Sequence, residues 1–275
     1  MKPAPFEYHA PETRADALAL LAEHGDDAKA LAGGQSLVPI LAMRLTRFAH
    51  LVDLNRVDDL QGVTRENGTL VVGAMTRQRT MEQADDVPLL VRATPLVGHF
   101  QIRNRGTVGG SLAHADPASE YPAVALALDA EFDLASAGET RRVAAADFFL
   151  GTWTTAAAPD ELLVAARFPV WGADAGFAVV EVARRHGDFA LAGAVCAVAP
   201  DRAALSLFGV ASTPVRCQAA EAALLAGAPP ADVAAEAVRD LAPADDIHAS
   251  TATRVRIAHT VVARAVTKAR EDARA

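Results

Sequence analysis

The sequence predicts an α+β fold in two domains. Strand and helix signals mix through the first 170 or so residues without strict alternation, three strand-like runs then follow one another, and three helical runs close the chain. The opening reads as a strand followed by a helix. Thr13 is placed to cap that helix with Asp16 three positions on, Leu18, Leu20 and Leu21 supply its apolar stripe, and His24-Gly25-Asp26-Asp27 ends it. Ala28–Leu31 is a short strand running straight into Ala32-Gly33-Gly34-Gln35-Ser36, after which residues 37–45 are helical with Pro39 in the first turn. Short strands follow at 50–54 and Thr69–Gly73. Thr76 is placed to cap a helix through Gln83, and residues 88–98 form another. The segment 107–111 follows a strand-like stretch and leads to a helix over 117–128 that Pro117 starts. Residues 131–136 with 142–143 then predict a hairpin.

Pro169-Val170-Trp171-Gly172-Ala173-Asp174 marks a boundary between a domain at 1–173 and a smaller one at 174–275. In the second, residues 177–182, Ala190–Val198 and 203–210 predict a three-stranded antiparallel sheet with turns at 184–188 and 200–202. Helices at 214–225, 230–241 and 250–267 make a three-helix bundle.

Composition excludes several function classes. The chain has 275 residues, with 26 basic and 34 acidic side chains for a formal net charge of −8, so it lacks the basic footprint that a nucleic acid requires. A 51% hydrophobic and 22% charged content is that of a packed globular protein. Cys196 and Cys217 cannot build a disulfide framework or ligate an iron–sulfur cluster by themselves, which fits the reducing cytoplasm. The N-terminus lacks an apolar signal core, and the longest uncharged apolar stretch, 189–199, is too short to span a bilayer. The eight histidines show no pair at metal-ligand spacing, so no metal site is expected. Ser111, His114 and Asp116 lie within one loop and do not make a triad, and no catalytic residue is assigned. Arg254, Arg256, Arg264 and Arg270 read as a solvated face of the last helix.

Two glycine-rich segments carry the chemical signal. In Leu31-Ala32-Gly33-Gly34-Gln35-Ser36-Leu37 a strand turns into a helix; adjacent glycines permit positive φ, and successive N–H groups in such a turn make an anion-binding nest. Ser36 adds a hydroxyl, and a diphosphate is the natural guest. Thr107-Val108-Gly109-Gly110-Ser111-Leu112-Ala113-His114-Ala115-Asp116-Pro117 repeats the idea. Neither segment is a P-loop or a three-glycine dinucleotide fingerprint. Two separated loops suit a long ligand such as a dinucleotide, with Glu120 placed to accept hydrogen bonds from its hydroxyls.

Together these segments, extended through Ala118-Ser119-Glu120, resemble the two FAD loops of the molybdenum hydroxylases, above all the medium, FAD-binding subunit of aerobic carbon monoxide dehydrogenase. Asp160-Glu161-Leu162-Leu163, Ala183-Arg184-Arg185-His186-Gly187-Asp188-Phe189-Ala190 and Asp245-Asp246-Ile247-His248 extend the resemblance over nearly the whole chain. It implies a two-subdomain FAD-binding fold of the vanillyl-alcohol-oxidase (PCMH) type. It also implies diphosphate contacts from Leu31–Leu37 and from Thr107, Gly109, Gly110 and Ser111, ribityl or ring contacts from His114 and Glu120, and apolar packing near the flavin from Leu163 and Val97. Where some relatives carry a Lys near the adenosine half, Val180 stands here, with Arg184 or Arg185 as substitutes. By the same resemblance FAD is held non-covalently. The chain would pass electrons from 2Fe–2S clusters of a small partner subunit to a quinone or other acceptor, while a molybdenum-cofactor large subunit oxidises substrate within a dimer of heterotrimers. A self-contained FAD-dependent oxidase or dehydrogenase is the alternative, and the roughly 100 C-terminal residues are small for the capping domain it needs.

Overall fold

The computed structural model describes residues 2–275. The chain begins with β1 (Glu7–His9), α1 (Arg14–His24), β2 (Ala28–Leu31), α2 (Leu37–Ala42) and β3 (His50–Asp53), which form a small parallel sheet in the order β1-β3-β2. Parallel neighbours need crossover connections, and α1 and α2 supply them. The expected cap is present: Thr13 Oγ1 accepts from the Asp16 N–H at 3.1 Å. Ala17, Leu18 and Leu21 pack with Val52 and Leu54 into a core of their own. The second helix is shorter than 37–45, because Arg44 turns to φ 58° and ends it.

Next come β4 (Val63–Glu66), β5 (Thr69–Gly73), α3 (Pro88–Ala93), α4 (Phe100–Arg105), α5 (Val108–His114), α6 (Glu120–Ala127), β6 (Glu131–Ala135), β7 (Thr140–Ala144), α7 (Ala145–Phe148), β8 (Phe149–Gly151), β9 (Thr154–Thr155) and β10 (Leu162–Pro169). Five of these strands build an antiparallel sheet, β4-β5-β10-β6-β7, while β8 and β9 pair as a small ribbon.

Several expectations change here. Thr76 does not cap a helix: its hydroxyl donates to the Gly62 carbonyl at 2.9 Å and accepts from the Gly62 N–H at 3.0 Å, and residues 78–83 form a 3-10 turn. The predicted helix 88–98 breaks at Thr94-Pro95, where proline withdraws a donor. The helix expected from Pro117 starts at Glu120, because Asp116 Oδ1 accepts from the Ala118 N–H at 2.9 Å and holds a turn there.

The remainder is β11 (Gly176–Ala183), β12 (Ala190–Val198), β13 (Ala203–Phe208), β14 (Val215–Arg216), α8 (Gln218–Leu225), α9 (Pro230–Val238) and α10 (Thr251–Asp272). The three-stranded meander gains a fourth strand, since Val215 and Arg216 pair with β13 before α8 begins. One face of this sheet, with Phe177, Val195 and Phe208, joins the core around α3 and α6; the other, with Ala194, Cys196 and Leu205, packs on α8, α9 and α10. Every residue of β13 and of α6 is buried. Polar groups at this junction are paired. Ser206 Oγ donates to the Ala123 carbonyl, the Gly209 N–H to the Pro117 carbonyl and Arg216 Nη1 to the Leu126 carbonyl, each at 2.7 Å. Arg254 corrects the solvated-face reading: it is buried and donates to the carbonyls of Leu191 (2.6 Å) and Gly209 (3.0 Å) while pairing with Asp246. Among the described residues no helix is long and apolar enough to cross a membrane.

Candidate functional site

An open pocket of about 330 Å³ lies at the carboxyl ends of β2 and β3, lined by residues 31–35, by Asp53 and Asn55, and by Arg105. That end of a parallel sheet is where crossover loops leave room for a ligand. The loop between β2 and α2 turns on Gly34 at φ +73°, a conformation that side-chain-bearing residues rarely adopt. The consequence is chemical. The backbone N–H groups of Gly33, Gly34, Gln35 and Ser36 have no acceptor among the described residues, while the Gln35 side chain donates to the Gly33 carbonyl at 3.1 Å and keeps that oxygen occupied. Four consecutive unpaired donors beside a pocket make a ready cradle for a multiply charged anion. Leu31 and Leu37 flank it, and Ser36 begins α2 without capping it, which leaves its hydroxyl uncommitted.

The second glycine segment is built differently from the open loop expected. Thr107 caps α5, accepting from the Gly110 N–H at 3.0 Å, and Gly109, Gly110 and Ser111 form that helix's first turn. It follows α4 and a single bridge to Arg77, with no preceding strand. Its N–H groups are largely spent: Val108 donates to Thr76, Gly109 to Ala74 and Ser111 to Thr107. The glycines serve close packing. A Cβ on Gly109 would lie 2.7 Å from Ala74 Cα, and one on Gly110 would lie 3.3 Å from Ala32 Cβ. A Cβ on Gly33 would lie 2.7 Å from Gly106 Cα. The two segments therefore meet at their glycines.

A polar brace fixes this meeting, and the sequence reading missed it. Arg77 Nη2 donates to Asn55 Oδ1 at 2.7 Å, Arg77 Nη1 donates to the Arg105 carbonyl, and Asn55 Nδ2 donates to the Ala32 carbonyl at 3.0 Å. One guanidinium thus ties the first loop, through Asn55, to the chain entering the second. The available signal was Asp53-Leu54-Asn55, a carboxylate and a carboxamide where a parallel strand ends.

The remaining predicted residues lie in several parts of the fold. His114 ends α5, stacks on Trp153 with ring centres 6.0 Å apart, and has Nε2 3.9 Å from Asp116 Oδ2. Burial holds its imidazole below the usual histidine range, with Lys29 acting in the same sense and Asp116 opposing. Glu120, the first residue of α6, is buried; loss of hydration, reinforced by the Glu181 carboxylate, pushes it up to about 8. Burial likewise pushes Glu181 up to about 7, and its Oε2 has no partner. Glu120 is therefore largely protonated near neutral pH, with Glu181 titrating beside it. Leu163 sits on β10 in the main core with Leu112 and Phe132, and Val97 packs at the edge of the same core. Val180 lies on the sheet face turned to the C-terminal helices. The Arg184–Asp188 turn brings Gly187 against the His99 ring. Burial pushes both cysteine thiols up to about 12, so they are protonated near neutral pH.

The open N–H cradle fits the diphosphate of a dinucleotide. Residues 4–171 match the family model described as the FAD binding domain in molybdopterin dehydrogenase, and residues 177–269 match the CO dehydrogenase flavoprotein C-terminal domain. The chain is 40% identical to the 6-hydroxypseudooxynicotine dehydrogenase complex subunit alpha of Paenarthrobacter nicotinovorans, covering 100% of this chain and 97% of that one. It is 42% identical to the caffeine dehydrogenase subunit beta of a Pseudomonas species, over 98% and 96% of the two chains. Among solved structures, a chain of carbon monoxide dehydrogenase from Hydrogenophaga pseudoflava superimposes with a TM-score of 0.95 at 38% identity, covering 99% of each chain.

Proposed function

The chain belongs to the FAD-binding medium-subunit family of the molybdopterin dehydrogenases, and from that premise we propose that it is the electron-transferring flavoprotein of a heterotrimeric molybdenum hydroxylase. Electrons from 2Fe–2S clusters of a small partner subunit would reach FAD here and leave to an external acceptor such as a quinone. Substrate would be oxidised on a molybdenum-cofactor large subunit, and two heterotrimers would associate in the cytoplasm. The observation that carries the reading is the row of four unpaired N–H groups, Gly33 to Ser36, at a junction braced by Arg77.

When bound, FAD supplies two-electron chemistry that couples to one-electron carriers. This chain's residues bind and orient it. The Gly33–Ser36 donors would hold the diphosphate, with the first turn of α5, Thr107 to Ser111, closing against it and Ser111 Oγ offering a hydroxyl. His114 and the protonated Glu120 would face the ribityl and ring portion. A neutral carboxyl there donates a proton to a hydrogen bond that a carboxylate could only accept. Leu163 would supply an apolar wall. The domain division at 173/174 leaves the cradle wholly in the N-terminal part. Relatives whose names point to different substrates resemble this chain about equally, which supports placing substrate choice on the large subunit.

The test is anaerobic. Isolated, flavin-loaded chain mixed with carbon monoxide or an N-heterocycle should keep its visible flavin absorbance, and adding the large and small subunits of the parent complex should bleach it. Bleaching of the isolated chain at a rate comparable to the complex would favour the self-contained oxidase instead.

A further inference from the structure

Three histidines scattered in sequence meet in space. His9 is the last residue of β1, His24 the last of α1 and His50 the first of β3, and each is half-buried. One ring nitrogen from each lies within 4.8 Å of the other two. His9 Nε2 is 3.1 Å from His50 Nδ1, and the His24 and His50 rings stack with centres 3.7 Å apart. Glu7 is two residues before His9, on the same strand face, and pairs in register with His50; its Oε2 lies 3.5 Å from His50 Nδ1.

We propose that His9, His24 and His50, with Glu7 or water as the fourth ligand, bind one divalent transition-metal ion, with Zn²⁺ as the occupant. Tetrahedral Zn²⁺ with nitrogen ligands at 2.0–2.1 Å requires nitrogen separations of roughly 3.3 Å. The 3.1 Å pair already meets this, and tilting the His24 ring out of its stack on His50 turns a third nitrogen lone pair toward the same point. Three imidazoles and a carboxylate form a donor set of borderline character, which selects Zn²⁺, Co²⁺, Ni²⁺ or Cu²⁺ over Mg²⁺ or Ca²⁺. Packing alone gives a weaker account. Three crowded imidazoles share one hydrogen bond and a single exposed carboxylate, whereas a cation gives every convergent nitrogen a partner.

The elements joined are those that frame the pocket. β2 and β3 start at the histidine end and finish at Leu31 and Asp53, a strand length of about 10 Å away. The ion would clamp β1, α1 and β3 without touching the cradle.

Tag-free flavoprotein, stripped with chelator, should take up one Zn²⁺ per chain in a calorimetric titration and melt at higher temperature with it. Co²⁺ should give the intense visible bands of a tetrahedral site. His24→Gln and His50→Gln should abolish both signals while keeping full flavin content, which reports the fold. Failure of the parent chain to bind Zn²⁺ stoichiometrically overturns the proposal, as does a Co²⁺ spectrum that stays octahedral. Binding that persists in a His9→Gln, His24→Gln, His50→Gln triple variant does so too.

Discussion

Gly33→Ala is the sharpest perturbation of the cradle. Its added Cβ would begin 2.7 Å from Gly106 Cα, with the Arg105 carbonyl also in its way, and both are backbone atoms that no rotamer change can remove. Reaching an ordinary contact near 3.4 Å from Gly106 Cα alone requires the first loop to retreat by about 0.7 Å, and clearing the Arg105 carbonyl requires more. That retreat pulls Ala32 from Asn55 and widens the gap to Gly110, so the four N–H groups no longer face the same point. Forcing a methyl into packed backbone costs about 1–3 kcal/mol. If this falls on the flavin-competent conformation, at about 1.4 kcal/mol per decade FAD binds roughly 5- to 140-fold more weakly. The assay is fluorescence titration of apoprotein with FAD, beside a thermal melt of each apo form. Gly138→Ala serves as the control, because a Cβ there meets nothing within 4 Å. Parent-like FAD affinity in Gly33→Ala, with Gly138→Ala also unchanged, would refute the close-approach reasoning.

Arg77→Lys keeps the charge but not the two-pronged donor, so it should leave either the Arg105 carbonyl or Asn55 unpaired and cost about 1.5–3 kcal/mol, seen as weaker FAD retention on gel filtration; retention equal to the parent would show that the brace is idle. Glu120 binds its proton more tightly folded, at about 8, than unfolded, near 4.3, so its protonation stabilises the fold below that window and the benefit fades as pH rises through 8. Glu120→Gln should therefore gain stability relative to the parent between pH 5 and 8 in urea titrations, and parallel pH profiles would contradict the buried-acid assignment. Arg254→Met leaves the carbonyls of Leu191 and Gly209 without a donor, costing about 2–4 kcal/mol and lowering the melting midpoint by roughly 5–15 °C; a shift below 2 °C would mean that water replaces the guanidinium.

What was legible in the sequence was local. The Thr13 cap, the glycine turn before α2 and the strand-like runs of the meander each announce themselves within a dozen residues, through local patterns that a helix or strand requires. The C-terminal strands were readable for the same reason. The failures were matters of partnership at a distance. Val215 and Arg216 look like a helix start until β13 offers them a ladder 8 to 10 residues earlier in the chain. Gly109-Gly110 resembles an open turn, yet Ala74 and Ala32 press on it and the segment winds into α5. Arg254 sits in a charged helix pattern, and only the fold reveals two carbonyls waiting for it. His9, His24 and His50 have no spacing signature because three elements bring them together, and the Asn55–Arg77 brace spans 22 residues.

The helix α6, with all eight of its residues buried, has a consequence for synthesis. Its outer side is covered by strands that the ribosome has not yet made when the helix forms: the Ala123 carbonyl waits for Ser206 and the Leu126 carbonyl for Arg216. At 5–20 residues per second, that is an interval of roughly 5–20 s in which an apolar helix lacks its cover. A nascent chain that has finished both glycine segments is then still exposed to chaperones and proteases. Cofactor insertion before the last hundred residues emerge would therefore load an unfinished particle.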